Sequence, residues 1–158
     1  YDEDGRMAAS GQVDEALLNQ LNSLAYYSIT GAKSLGVEWF FDNIRGVLMD
    51  SKISTFDKLA TITEHVAIQI AMVLPEGKVL ATGGGAYNKF LINRIQNHVS
   101  KNVEIVLPSN ELIEFKEALI FAFLGLRRLE QAPNCLKSVT GATRDSCSGN
   151  VIGLISMD

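Results

Sequence analysis

One stretch constrains this chain more than any other: an apolar run that feeds three consecutive glycines and then a helical segment. Val79, Leu80 and Ala81 lead through Thr82 into Gly83, Gly84 and Gly85, followed by Ala86, Tyr87 and Asn88. Phe90, Leu91, Arg94, Ile95, His98 and Val99 then recur at helical spacing. Val103 to Leu107 is a second β-leaning run, closed by Pro108. The order strand, glycine turn, helix, strand predicts a parallel crossover. It is also the order that builds an anion or nucleotide site, because glycine lets a ligand approach the main chain and the first helical amides point outward. On residues alone the alternative stands beside it, since glycines also make ordinary turns.

Around this centre the periodicity predicts mostly helix. Tyr1 to Gly11 reads as a loop with a turn at Asp4-Gly5. A helix is expected from about Asp14 to Ala25, with Leu17, Leu18, Leu21 and Leu24 on its buried face. Glu38 to Leu48 follows as a helix with Trp39, Phe40, Ile44 and Val47 on its apolar side. Ser54 or Thr55 is placed to cap a long helix through Leu74, ended by Pro75 and Gly77. The first strand is expected over Lys78 to Thr82, and the helix after the glycines ends near Ser100. Glu111 to Leu129 is a further long helix, Gln131 to Gly149 a loop, and Val151 to Ile155 a final short strand. The class is α/β, with few strands and several helices.

Composition narrows the function classes. A chain of 158 residues with 47% apolar and 20% charged residues suits one globular domain. The net charge of −4 argues against a broad nucleic-acid surface. No apolar run approaches the roughly 20 residues of a membrane helix, and the polar, acidic start does not read as a signal peptide. Cys135 and Cys147 form no CxxC pair and read as reduced thiols. His65, among apolar neighbours, reads as a packed or hydrogen-bonded residue, and neither it nor His98 has a second ligand at metal-site spacing. Lys33, Ser34 and Gly36 lie in a loop that could hold a phosphate or simply connect two helices, and the connector is the plainer reading. Glu117 precedes the apolar Ala118-Leu119-Ile120-Phe121; by position it reads as a solvated helix charge, and alternatively as a carboxylate aimed into a cleft. No Walker loop, HExxH or GxSxG motif is present. The residues therefore suggest part of a nucleotide site without a complete reaction centre.

Six segments, in order, resemble the anhydro-N-acetylmuramic acid kinases. Tyr1-Asp2-Glu3-Asp4-Gly5 with Ala8-Ala9-Ser10-Gly11 is similar to that family's YDxDG…AxSG stretch. Lys33-Ser34-Leu35-Gly36 with Glu38 is similar to its KSxGxE loop, and Thr61-Ile62-Thr63-Glu64 to its TLTE helix. Gly83 to Asn88 resembles its GGGAxN adenosine motif, and Glu117 to Ala122 its EAxAFA helix. Asn134 with Ser138-Val139-Thr140-Gly141-Ala142 resembles its N-x-x-SVTGA loop. The chain departs from the family's common residues at Leu35, Val37 and Tyr87.

The resemblance implies a ribonuclease-H-like, actin-like ATPase half-domain with a small mixed sheet flanked by helices. It implies that this chain is the C-terminal, nucleotide-binding half of a two-domain sugar kinase, with the catalytic base in the N-terminal half. The family uses ATP, Mg²⁺ and water to open 1,6-anhydro-N-acetylmuramic acid and phosphorylate it to N-acetylmuramate 6-phosphate, in bacterial cell-wall recycling. Carried over, Gly83, Gly84, Gly85 and Asn88 hold the nucleotide, Glu117 faces the sugar, and Lys33, Ser34 and Gly36 border the nucleotide. The resemblance further implies a cytoplasmic homodimer, with Trp39, Phe40 and Phe41 as a candidate contact that core packing explains equally well. The isolated chain is expected to do no chemistry, since half a cleft lacks the closure that aligns donor and acceptor. Two alternatives remain at this point: a non-catalytic relative kept for binding or assembly, and a kinase of a related anhydrosugar.

Overall fold

The structure is a computed structural model and describes residues 2–30 and 33–153. By internal packing the chain divides into two units, Tyr1–Ile113 and Glu114–Asp158.

The first unit is a helical layer on a small sheet. Helix α1 (Arg6–Ala9) is followed by α2 (Glu15–Asn22), α3 (Val37–Asn43), α4 (Arg45–Asp50) and α5 (Thr55–Ala71). Strand β1 (Gly77–Leu80), helix α6 (Lys89–His98) and strand β2 (Val103–Val106) come next. The two strands pair in parallel, Gly77 opposite Val103 through Leu80 opposite Val106. The expected crossover is therefore present, and the α/β class with helices flanking a small sheet agrees with an actin-like half-domain.

Local chemistry accounts for the helix ends. Asp14 caps α2 by accepting from Leu17 N–H at 2.8 Å, and Ser54 caps α5 by accepting from Asp57 N–H at 3.1 Å. The core gathers Leu17 and Leu21 of α2 with Ile44, and Leu24, Trp39, Phe40 and Ile62 pack against it. Trp39 and Phe40 thus face inward, whereas Phe41 is half-exposed beneath the Arg45 guanidinium. Helix α5 is the hub. The segment leading into α2 is pinned to it where Gln12 N–H donates to Asp57 Oδ1 and Asp14 N–H to Thr61 Oγ1, at 2.8 and 2.9 Å. His65, buried on α5, bonds Tyr27 Oη through Nε2 at 2.8 Å and Asn22 Oδ1 through Nδ1 at 2.6 Å, as a packed histidine should.

Several boundaries differ from the sequence expectation. Residues 2–10 are not a loop: a 3-10 turn at Glu3–Gly5 runs into α1, because the Asp2 carboxylate accepts from the Met7 and Ala8 amides at 2.9 and 3.0 Å. Helix α2 stops at Asn22, three residues early, with Ser23 as its C-cap. The single helix expected over Glu38 to Leu48 is broken at Ile44, which turns into the core between α3 and α4.

In the second unit, α7 (Asn110–Leu129, which begins in the first) leads into a segment containing α8 (Lys137–Thr140). That segment is more ordered than the expected loop. Cys135 and Ser146 form an antiparallel bridge, and Asn134 Nδ2 donates to Ser148 O while its Oδ1 accepts from Ser148 N–H. Arg127 and Arg128 donate to Pro133 O and Gly149 O, tying the segment to the end of α7. Many apolar side chains of α7 are exposed, among them Phe115, Leu119, Phe121 and Phe123. Residues 151–153 of the expected last strand are not in a strand, and among the described residues no strand pairs with them. The rest of that strand, Leu154 and Ile155, lies outside the described residues.

Candidate nucleotide site

β1 delivers the chain to the glycine turn. Gly83 sits at φ +83°, a left-handed value that favours glycine. Gly84–Tyr87 then forms a 3-10 turn, with Ala86 N–H donating to Gly83 O at 3.0 Å and Asn88 N–H to Gly85 O at 3.1 Å. Asn88 ends this turn and starts α6: its Oδ1 accepts from Leu91 N–H at 2.9 Å. Gly83, Gly84, Gly85 and Asn88 are thus brought together by one continuous turn ahead of one helix.

The glycines differ in what requires them. Gly84 and Gly85 are exposed and have no left-handed φ. A Cβ on Gly84 would meet nothing within 4 Å, and one on Gly85 would only touch Leu91 Cδ2 at 4.0 Å. Both positions open onto free space, so a ligand can approach the main chain there. Their amides begin the 3-10 turn, where a helix has no internal acceptor for them. Beneath the turn lies a mostly apolar cleft of about 340 Å³, bounded by Thr82, Gly85, Ala86, Leu91, Ile70 and Ile105. An open main-chain rim over an apolar cleft suits a ligand with a flat apolar part and polar edges.

The turn is held from two sides. Asp4 pairs with Lys89 Nζ at 3.3 Å, and Gly5, at φ +73°, lies directly against Asn88 and Phe90. Behind α6, Glu64 of α5 is buried at 6% exposure. Its carboxylate accepts from Arg94 Nε at 2.5 Å, Arg94 Nη2 at 2.6 Å and His98 Nε2 at 2.6 Å. The Arg94 guanidinium, foremost, holds the Glu64 carboxyl below the usual carboxylate range. His98 thus has a hydrogen-bond partner in Glu64. These supports escaped the sequence reading, although Arg94 and His98 stand four residues apart, on one helix face.

The other expected site residues lie apart from the turn in sequence. Lys33 Nζ donates to Tyr26 O at 3.0 Å and Ile29 O at 3.2 Å, and lies over the Tyr26 ring. Those bonds are those of a connector lysine. Ser34 is exposed, and Gly36 is the N-cap residue of α3. Glu117 is exposed on α7, in the second unit. Among the described residues no group of three or more His, Cys, Asp or Glu side chains could hold a metal ion. No described helix is long and apolar enough to cross a membrane.

Comparison with known proteins decides the family. The profile for anhydro-N-acetylmuramic acid kinase matches residues 1–153. The chain belongs to the anhydro-N-acetylmuramic acid kinase family. A relative of that name from Hydrogenovibrio crunogenus is 35% identical over 96% of this chain and 43% of its own length. Relatives so named from Vibrio vulnificus and Coxiella burnetii are each 34% identical, over 91% and 96% of this chain. The chain spans less than half the length of these kinases.

Proposed function

We propose that this chain is the nucleotide-binding part of an ATP-dependent kinase of 1,6-anhydro-N-acetylmuramic acid, a cytoplasmic enzyme of peptidoglycan recycling that works as a homodimer. The observation that carries the reading is the open pair Gly84 and Gly85, in a family of kinases, at the start of a 3-10 turn. In this account the adenosine end of ATP lies along the turn from Gly83 to Asn88 and over the apolar cleft below it. Asn88 acts mainly by capping α6, which fixes the direction of the following amides. Glu117, exposed on α7, is available to hydrogen-bond a sugar hydroxyl. Bound ATP supplies the transferable phosphoryl group. Among the described residues no cluster of three or more acidic, His or Cys side chains stands ready for Mg²⁺. The base that activates water or the sugar hydroxyl is assigned to the remainder of the parent chain.

The test is ADP release by the full-length parent chain with and without the anhydro sugar. Sugar-dependent release, with none from residues 1–158 alone, supports the reading. Release from the parent that does not depend on the sugar contradicts the substrate, and no release at all favours a non-catalytic relative.

A further inference from the structure

We propose that Glu64 is a positioning residue for the nucleotide: through Arg94 and His98 it sets how α6 sits on α5, and so where the glycine turn ahead of α6 lies. This rests on the reading of that turn as the nucleotide site. Three donors from α6 converge on one carboxylate, at 2.5 to 2.6 Å, and both carboxylate oxygens are used. The Arg94 contact is bidentate, which fixes orientation as well as distance. The carboxylate is buried, so any slide or roll of α6 that loosened these bonds would leave a desolvated charge unpaired. The apolar contact of Ile95 with the interior is non-directional and sets no such register. From Arg94 to Asn88 is six residues of helix, about 9 Å of rigid arm at 1.5 Å per residue. A small rotation at the ion cluster is therefore carried to the turn. At the other end, Gly5 against Asn88 and Asp4 on Lys89 seat the arm. Glu64 itself need not touch a ligand for this role.

The experiment uses the full-length parent chain with Glu64→Gln, Arg94→Lys and Gly84→Val variants. It reads the KM for ATP, the KM for the anhydro sugar, and the thermal midpoint. Glu64→Gln is expected to raise the KM for ATP roughly 10-fold, as displacement of a binding group does, with the KM for sugar within about twofold of the parent. Arg94→Lys keeps a charge but loses the fork, so it is expected to give the same split at smaller size; it carries the test if Glu64→Gln does not fold. A folded Glu64→Gln variant with the parent's KM for ATP, or with both KM values raised together, overturns the proposal and leaves Glu64 a structural staple. Should Gly84→Val raise the KM for ATP while Glu64→Gln and Arg94→Lys do not, only the positioning role fails. Should Gly84→Val also leave it unchanged, the nucleotide reading of the turn fails and the proposal with it.

Discussion

Gly5 abuts Asn88: a Cβ placed on Gly5 would collide with the Asn88 amide oxygen and lie 2.6 Å from Phe90 Cβ. An N-terminal turn and the cap of a helix more than eighty residues later share one close contact. Gly5 is also left-handed, at φ +73°. Gly5→Ala is therefore expected to cost at least about 2 kcal/mol, from the unfavourable φ together with the collision. Chemical denaturation of the full-length parent checks this; an unchanged midpoint would mean that the turn is free to move off Asn88.

Gly84 should behave in the opposite way. Its added Cβ meets nothing and its φ is not left-handed. Gly84→Ala is expected to shift stability by less than about 0.5 kcal/mol, the range of ordinary surface changes, while weakening ATP binding. A large loss of stability would show that the glycine is required by the fold and not by a ligand.

Glu64→Gln leaves Arg94 without its carboxylate. The Arg94 side chain is 31% exposed, so water offsets part of that loss, but the variant's unfolding midpoint should still fall below the parent's. The pH dependence has a definite sign. Glu64 is held below its ordinary value of 4.5, first by Arg94, so its stabilising effect is present above pH 4.5 and is lost as pH falls through its folded value. Acid denaturation below pH 4.5 should thus be less steep in the variant than in the parent.

His65 titrates in a separate window. Burial pushes it below its ordinary value of 6.5. Below pH 6.5 the unfolded chain takes up a proton that the folded chain refuses, so stability falls as pH drops from 6.5 towards the folded value. Thermal midpoints between about pH 7 and about pH 5 should therefore decline with acid, and His65→Gln should flatten that slope even though it lowers the midpoint at neutral pH. An unaltered slope would assign the effect to another group.

The parts of the fold legible in the sequence are those written in local pattern. Ser54 or Thr55 reads as the cap of a long helix ended by Pro75 and Gly77, and Ser54 caps α5. The two β-leaning runs around a helical segment gave β1, α6 and β2 in the right order. The break at Ile44 was hidden because its cause is tertiary: the residue is drawn into the core with Leu17 and Leu21. Asp2 lies in a stretch that reads as a loop, yet its carboxylate accepts from the Met7 and Ala8 amides of α1. The same holds at the candidate site. Three glycines in a row are visible to the eye, but Glu64 meets Arg94 and His98 across 30 and 34 residues, and no local spacing announces such a meeting. What Gly83 requires differs from what Gly84 requires, and only backbone angles and surroundings separate them.

Calorimetric titration of Mg-ATP into the full-length parent chain, beside its Gly84→Val variant, tests the central claim most directly. The open space over Gly84 predicts that the parent binds and that the variant, equally folded, binds far more weakly or not at all. Equal binding by both would contradict the claim and leave the glycine turn a piece of the scaffold.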